Sequence, residues 1–296
     1  MAQTGPEGSQ WHGGIRILAG GLNTCKVMCK ENAVTSRPTL QLTRSPLILA
    51  LAQVRFSAVL KMDSYVPDIQ EALRQQGFPL FKANETQQIL LGPEPRIGKA
   101  IRWIFSSEDA RTSVVLTNDF LALETNTYDH FEGFAARLQV ALDVVKEIVK
   151  VALAERIGLR YVNLIQPREG EPLAKYLHAG LLGVPVDDLG VSNGLTRLET
   201  RGQTDHGQLV LRVLQSRGSG VLPPDIEATD IEFKIEHNPE QVVTLLDIDH
   251  FVADRCPFNS KELLNTASAL HEVVERAFLA GTTREGRVVW GSNEAP

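Results

Sequence analysis

The sequence predicts an α+β fold of mostly antiparallel sheets, with long amphipathic helices on one side and two loosely similar halves. Three observations carry this expectation. Several stretches alternate apolar and polar residues with period two, and tight-turn signals rather than helices separate neighbours, which favours antiparallel pairing. Three longer stretches repeat apolar residues at helical spacing. The order of strands, long helix and strand also occurs twice, although no residue-level repeat accompanies it.

Met1 to Arg44 is rich in Gly, Thr, Ser and Asn and sustains neither period. It reads as a flexible extension, even as an over-long start of translation. The character changes at Ser45, where Pro46–Phe56 begins as an apolar run and ends in strand-like alternation. Ser64–Gln76 is predicted to be a helix capped by Asp63 or Ser64, lined by Ile69, Ala72 and Leu73, and stopped by Gly77 and Pro79. Strands are expected over Leu80–Leu90, Ala100–Ser106 and Thr112–Thr125. A second helix follows, with Asp129 and Glu132 as a capping box and Phe131, Phe134, Leu138, Leu142, Val145 and Val149 as its stripe. The strand Leu153–Ile165 closes the first half, residues 45–166.

The second half, residues 167–291, opens with Pro172 at a first helical position and a short helix to Leu182. Strands are expected over Leu195–Thr204, Gln208–Gln215, Asp230–His237 and Gln241–Phe251, with tight turns at His206–Gly207 and Asn238–Pro239. A long helix begins after the cap pair Asn259 and Glu262 and carries Leu263, Ala267, Leu270, Val274, Ala277 and Phe278. Val288–Trp290 reads as a last short strand. Residues 45–291 are therefore expected to form a single α+β domain, one of whose sheet faces stays open to water, a partner or a ligand.

Composition excludes several classes. The 296 residues are 43% hydrophobic and 22% charged, with mean hydropathy −0.09, so a sizeable core forms without metals or disulfides. Cys25, Cys29 and Cys256 are the three cysteines, too few for a disulfide framework, and C-x-x-x-C has no second pair to complete a zinc site. No run approaches the ~20 apolar residues of a membrane-spanning helix, and Ile15–Leu22, broken by Gly20 and Gly21, lacks a signal-peptide layout. A cytoplasmic protein is expected. Arg16, Lys26, Lys30, Arg37 and Arg44 outnumber Glu7 and Glu31 in the leader, so it is basic while the chain as a whole carries −6. The acidic body makes nucleic acid an improbable partner, because such a footprint needs clustered Lys and Arg.

Four patterns resemble catalytic or cofactor motifs, and each lacks its structural context. Gly92 to Ala100 imitates a phosphate loop but has one residue too many between its glycines, two prolines, and Ala100 where a magnesium-binding hydroxyl belongs. Gly190-Val-Ser192-Asn-Gly194 has the letters of a nucleophile elbow, yet an alternating segment follows where a helix is required. Gly218-Ser-Gly220 runs into Pro223 and Pro224, which cannot open a dinucleotide-binding helix in the required way. Asp247 and Asp249 share one strand face while His250 points to the other, which splits a three-ligand metal set. No catalytic, metal or cofactor residue is assigned. Ser192 and the Asp247/Asp249 pair remain the residues on which a hydrolase or metal-dependent enzyme would depend.

Arg156 and Arg160 share a strand face on either side of Gly158, and Gly158 allows a neighbouring group to approach closely. Asp247 and Asp249 could meet them across a sheet as an ion-paired surface. Alternatively, the guanidinium groups could receive an anionic ligand or partner segment through bidentate contacts. These four residues are the candidate binding site.

The segments Pro46–Phe56, Arg156–Asn163 and Leu246–Asp249, together with a closing helix ending near Trp290 and Gly291, resemble in order and spacing a sporadically distributed bacterial protein family of unassigned function. The resemblance spans Pro46 to Gly291. It implies a bacterial cytosolic protein and supplies no catalytic residues. The expected function is a non-enzymatic binding or scaffold module with a protein partner or a second copy of itself. An accessory role in a mobile or defence-associated gene cluster is implied by the resemblance alone.

Overall fold

The computed structural model describes residues 40–90, 96–184, 189–190, 194–217, 222–223, 225–226, 231 and 242–292. Residues 1–39, the segment 91–95, Ser192, Gly218–Gly220 and, apart from Ile231, the expected strand Asp230–His237 lie outside them.

Ten strands form one antiparallel sheet. They are β1 (Leu47–Phe56), β2 (Leu80–Leu90), β3 (Arg96–Ser106), β4 (Thr112–Leu116), β5 (Phe120–Thr125), β6 (Leu153–Ile165), β7 (Thr196–Thr204), β8 (Gly207–Arg217), β9 (Val242–Val252) and the two-residue β10 (Cys256–Pro257). Their order is β2-β3-β4-β5-β1-β6-β9-β8-β7, with β10 pairing β6 off this path. The middle of the sheet is the pair β1/β6, in register at Ala52↔Leu159. β6 is buried at nine of its thirteen residues and β1 at five of its ten, including part of the apolar run with which β1 begins. β5 and β9 flank them, in register at Ala52↔Leu123 and Leu159↔His250.

Three helices pack against one parity of strand residues. They are α1 (Met62–Gln75), α2 (Phe131–Ile148) and α3 (Ser260–Gly281). Ile69 and Leu73 of α1, Leu138 and Leu142 of α2, and Leu270 and Val274 of α3 share one apolar cluster with Ala52, Val54, Leu159, Tyr161, Leu246 and Ile248. Residues of the opposite parity form two smaller clusters, one around Leu49, Val162 and Leu245 and one around Ile104, Val115 and Ala122. Each fully buried Leu, Val or Phe in these layers contributes about 1.5–3 kcal/mol relative to exposure. α3 starts as the sequence predicts, with Asn259 Oδ1 accepting from the amides of Lys261 and Glu262.

Several expectations are corrected. Thr112–Thr125 is a hairpin rather than one strand: Thr117 Oγ1 accepts from the amides of Asp119 and Phe120 and closes the turn between β4 and β5. α1 begins at Met62 without a side-chain cap, and Ser64 instead donates to the Lys61 carbonyl. α2 also lacks a side-chain cap, because Asp129 holds the His130 ring rather than a backbone amide. The helix expected after Pro172 is two short 3-10 turns, Leu173–Lys175 and Ala179–Leu181.

The expected strand at Val288–Trp290 is instead helical over α4 (Arg284–Val289), capped by Thr283 and packed so closely on Tyr176 that Gly286 has no room for a side chain. The turn joining β7 to β8 is Asp205–His206, since Thr204 pairs with Gly207. Gly207 itself has φ +141° and sits where a Cβ would lie 2.3 Å from the Phe251 carbonyl oxygen. Finally, residues 40–44 are tied to the body rather than free of it. Leu42 bridges Ser292, Leu40 N–H donates to Glu275, Arg44 donates to the Val289 carbonyl, and Leu40 and Leu42 pack on the core.

Candidate functional site

The face of the sheet opposite α2 and α3 carries a groove of about 750 Å³ over β5, β1, β6 and β9. Period-two geometry selects its floor: Ala122 and Glu124 on β5, Leu51, Gln53 and Arg55 on β1, Arg156, Gly158 and Arg160 on β6, and Asp249 on β9. Arg102, Asp119 and Asp225 add charge at its edges. Arginine–carboxylate pairs thus surround it: Arg55–Asp119 at 3.7 Å, Arg102–Glu124 at 4.0 Å, Arg160–Asp225 at 2.8 Å and Arg156–Asp249 at 3.5 Å.

The four residues singled out by sequence meet here, but in two unequal pairs. Arg160 uses four of its five N–H donors on two carboxylates. Its Nε and Nη2 donate to Asp247 at 2.8 and 2.7 Å, and its Nη1 and Nη2 donate to Asp225 at 2.8 and 2.9 Å. Burial opposes the Arg160 charge, but the hydrogen bonds to Asp247 and Asp225 outweigh it and raise its pKa above the ordinary value. Asp247, whose side chain is 2% exposed, also accepts from Arg212 Nη1 at 3.0 Å. Arg212 in turn reaches Glu199, which holds Arg201 as well. The chain of charges continues across β9, β8 and β7 in register, since Asp247 faces Arg212 and Arg212 faces Glu199.

Arg156 is held differently. Its guanidinium lies over the Phe251 ring, 4.2 Å from the centroid, which fixes its plane by cation–π attraction. Gly158 makes this possible: a Cβ there would lie 2.9 Å from Phe251 Cβ and 3.0 Å from Arg156 Nη1. Its polar contacts among the described residues are long, 3.4 Å from Nη1 to Gln53 Oε1 and 3.5 Å from Nη2 to Asp249. Burial pushes the Arg156 pKa down, and the charge of Asp249 only partly opposes this. Burial likewise pushes the Asp249 carboxyl up, against the pull of Arg156 and Arg160. Among the described residues, Arg156 therefore retains hydrogen-bond donors that its neighbours leave unused, inside a groove large enough for a ligand group.

His250 faces the helices. Its Nδ1 lies 3.1 Å from the Leu270 carbonyl and its Nε2 2.9 Å from Thr204 Oγ1, so it belongs to the core rather than to the groove. Asp247 and Asp249 do share the other face, yet both oxygens of Asp247 are engaged by guanidinium groups, which a cation would have to displace. No set of three or more His, Cys, Asp or Glu side chains able to hold a metal occurs among the described residues. No described helix is long and apolar enough to cross a membrane.

Sequence reasoning missed Asp225, Arg212, Glu199, Gln53, Arg55 and Phe251. Gln53 and Arg55 could have been found, because alternation places them on the face opposite Ala52 and Val54. Asp225 carries no periodic signal at all. No protein-family model matches the chain, and no curated protein matches it.

Proposed function

We propose that the chain is a non-enzymatic binding module that receives a carboxylate-bearing segment of a protein partner in the groove around Arg156. The observation that supports this reading is the contrast between the two arginines. Arg160 spends its donors on two carboxylates, whereas Arg156 is held flat on Phe251 with only long polar contacts. A planar carboxylate reaching Arg156 would form the short bidentate pair that Asp249 does not. The surrounding pairs of alternating charge would then set orientation and reject mismatched segments, as charge complementarity does at interfaces.

Two similar halves would each supply one wall, β1/β5 on one side and β6/β9 on the other, with the long amphipathic helices backing both. The resemblance to a sporadically distributed bacterial family fits a cytoplasmic accessory role in a mobile or defence-associated gene cluster. A second reading rests on Asp249, whose buried carboxyl is pushed toward its protonated form and faces the groove, as a general acid would be. It makes the protein a hydrolase. Asp247 is ill suited to share that work or to hold a metal, and Ser192 lies outside the described residues.

Titration of the full chain with succinate as probe, by calorimetry and by NMR, tests the first reading. Arg156→Gln is expected to weaken binding by about ten- to a hundredfold, the loss of charge-assisted hydrogen bonds. Asp249→Asn is expected to strengthen it by removing the competing carboxylate. Equal binding by wild type and Arg156→Gln refutes the reading. Turnover of an ester or glycoside probe that Asp249→Asn abolishes would favour the hydrolase.

A further inference from the structure

On the helical side of the sheet, a separate cavity of about 130 Å³ lies between β6, β9, the start of α2, α3 and the segment at Leu40 to Ser45. Its walls include Leu47, Ile248, Val274 and Phe278, and its polar end is formed by Tyr128, Tyr161 and His271. That volume is comparable with the roughly 150 Å³ apolar cavity that admits benzene.

The polar end has a fixed proton order. Tyr161 O–H donates to Tyr128 Oη at 3.0 Å, so the 3.2 Å contact between Tyr161 Oη and His271 Nδ1 must be made by a proton on His271. This places the neutral imidazole in its Nδ1–H form. Three protons are available and two are used inside the chain. Among the described residues, the Tyr128 hydroxyl hydrogen and the His271 Nε2 lone pair remain without a partner, one donor and one acceptor. Phe131 stacks on His271 with ring centroids 4.3 Å apart and planes 4° from parallel, which holds the imidazole in place.

The group is neutral at ordinary pH. Burial pushes His271 down to about 4 and holds both tyrosines above their usual range. The ionisable residues lining the rest of the cavity are Asp129, Glu275 and His130, whose Nδ1 lies 3.0 Å from Asp129, and no lysine or arginine occurs among the described residues lining it. An anion would meet repulsion there, and an ammonium group would leave the Tyr128 hydroxyl without an acceptor.

We propose that this cavity is a binding site for a neutral, ring-sized organic molecule carrying a hydroxyl or carbonyl group. The apolar ring would lie against Leu47, Ile248, Val274 and Phe278. The ligand oxygen would accept from Tyr128 Oη, and a ligand hydroxyl could also donate to His271 Nε2. This site is separate from the Arg156 groove and does not depend on the function proposed for it.

Fluorine NMR of the full chain with para-fluorophenol, para-fluorotoluene, para-fluorobenzoate and para-fluorobenzylammonium provides the test. Saturable binding of the phenol is expected, with contacts to Tyr128 and His271 ring protons seen directly in the wild type. The phenol should bind about three- to tenfold more tightly than the toluene, the worth of one neutral hydrogen bond, and Tyr128→Phe should remove that preference. The benzoate and the ammonium should bind more weakly than the phenol. Failure of the phenol to saturate, contacts elsewhere on the protein, a preference for either ion, or an undiminished phenol preference in a folded Tyr128→Phe variant would each overturn the proposal.

Discussion

Asp247→Ala is the substitution that most directly probes what orders the open face. Asp247 accepts three hydrogen bonds from two guanidinium groups, two from Arg160 and one from Arg212. Its side chain is 2% exposed, against 11% for Arg160 and 17% for Arg212. Breaking a buried pair costs about 3–5 kcal/mol when the surviving charge has no other partner. Here Arg160 keeps Asp225 and Arg212 keeps Glu199, so the low end applies and a loss of about 3 kcal/mol is expected. Asp225 is 60% exposed on its side chain, so Asp225→Ala should cost less than about 1 kcal/mol although it also forms two short bonds to Arg160. Urea unfolding with midpoint and slope compared across variants measures both. Arg160→Leu, Asp247→Leu and the double variant complete a cycle with an expected coupling of at least about 1 kcal/mol, because the double variant buries no charge at that pair. Equal costs for Asp225→Ala and Asp247→Ala, or coupling within about 0.3 kcal/mol of zero, would refute the assignment of Asp247 as the organising carboxylate.

Gly158→Ala should destabilise by about 1–3 kcal/mol through overpacking, since the new methyl meets Phe251 Cβ at 2.9 Å and the Arg156 guanidinium; an unchanged Phe251 ring environment by NMR would show that Arg156 does not depend on the glycine. Burial lowers His271 from 6.5 to about 4, so the unfolded chain binds a proton that the native state refuses. Stability tied to this residue is complete above about pH 6.5 and is lost as pH falls toward 4, and His271→Phe should flatten that stretch of the stability curve by up to about 3 kcal/mol. An identical slope in the variant would contradict this.

The fold was legible where local pattern and tertiary packing agree. β2 and β6 end where alternation ends, and α3 begins at the asparagine whose side chain reaches the amides of Lys261 and Glu262. It was illegible where they compete. Thr112–Thr125 has strand-forming residues on both sides of Asn118 and Asp119, and the chain turns there through the Thr117 hydroxyl, the backbone bond from Thr117 N–H to the Phe120 carbonyl, and the bonds that Val59 and Phe56 make to the Asn118 and Asp119 carbonyls. Val288 and Val289 favour strands locally, yet the Thr283 cap and the close contact of Gly286 with Tyr176 make the segment helical. Tertiary contact outweighs propensities worth a fraction of a kcal/mol per residue.

The site was half legible for a reason that register makes plain. Alternation placed Arg156 and Arg160 on the face shared with Asp247 and Asp249, but it cannot say which pairs form. Arg160 stands directly opposite Asp249, and Val162 stands opposite Asp247. The strong pair is nevertheless the diagonal one, Arg160 with Asp247. Long side chains reach diagonal neighbours across a sheet, and two further groups favour that choice. Arg212, directly opposite Asp247 on β8, holds the carboxylate from its other side. Asp225, far along the chain, occupies the remaining edge of Arg160. Both contacts are tertiary, so alternation within one strand could not reveal them. Their consequence lies one step down the strand: with Arg160 drawn to Asp247 and Asp225, Asp249 has, among the described residues, only the 3.5 Å contact with Arg156 as an ion pair. The same diagonal preference that locks one arginine leaves the other with donors to spare.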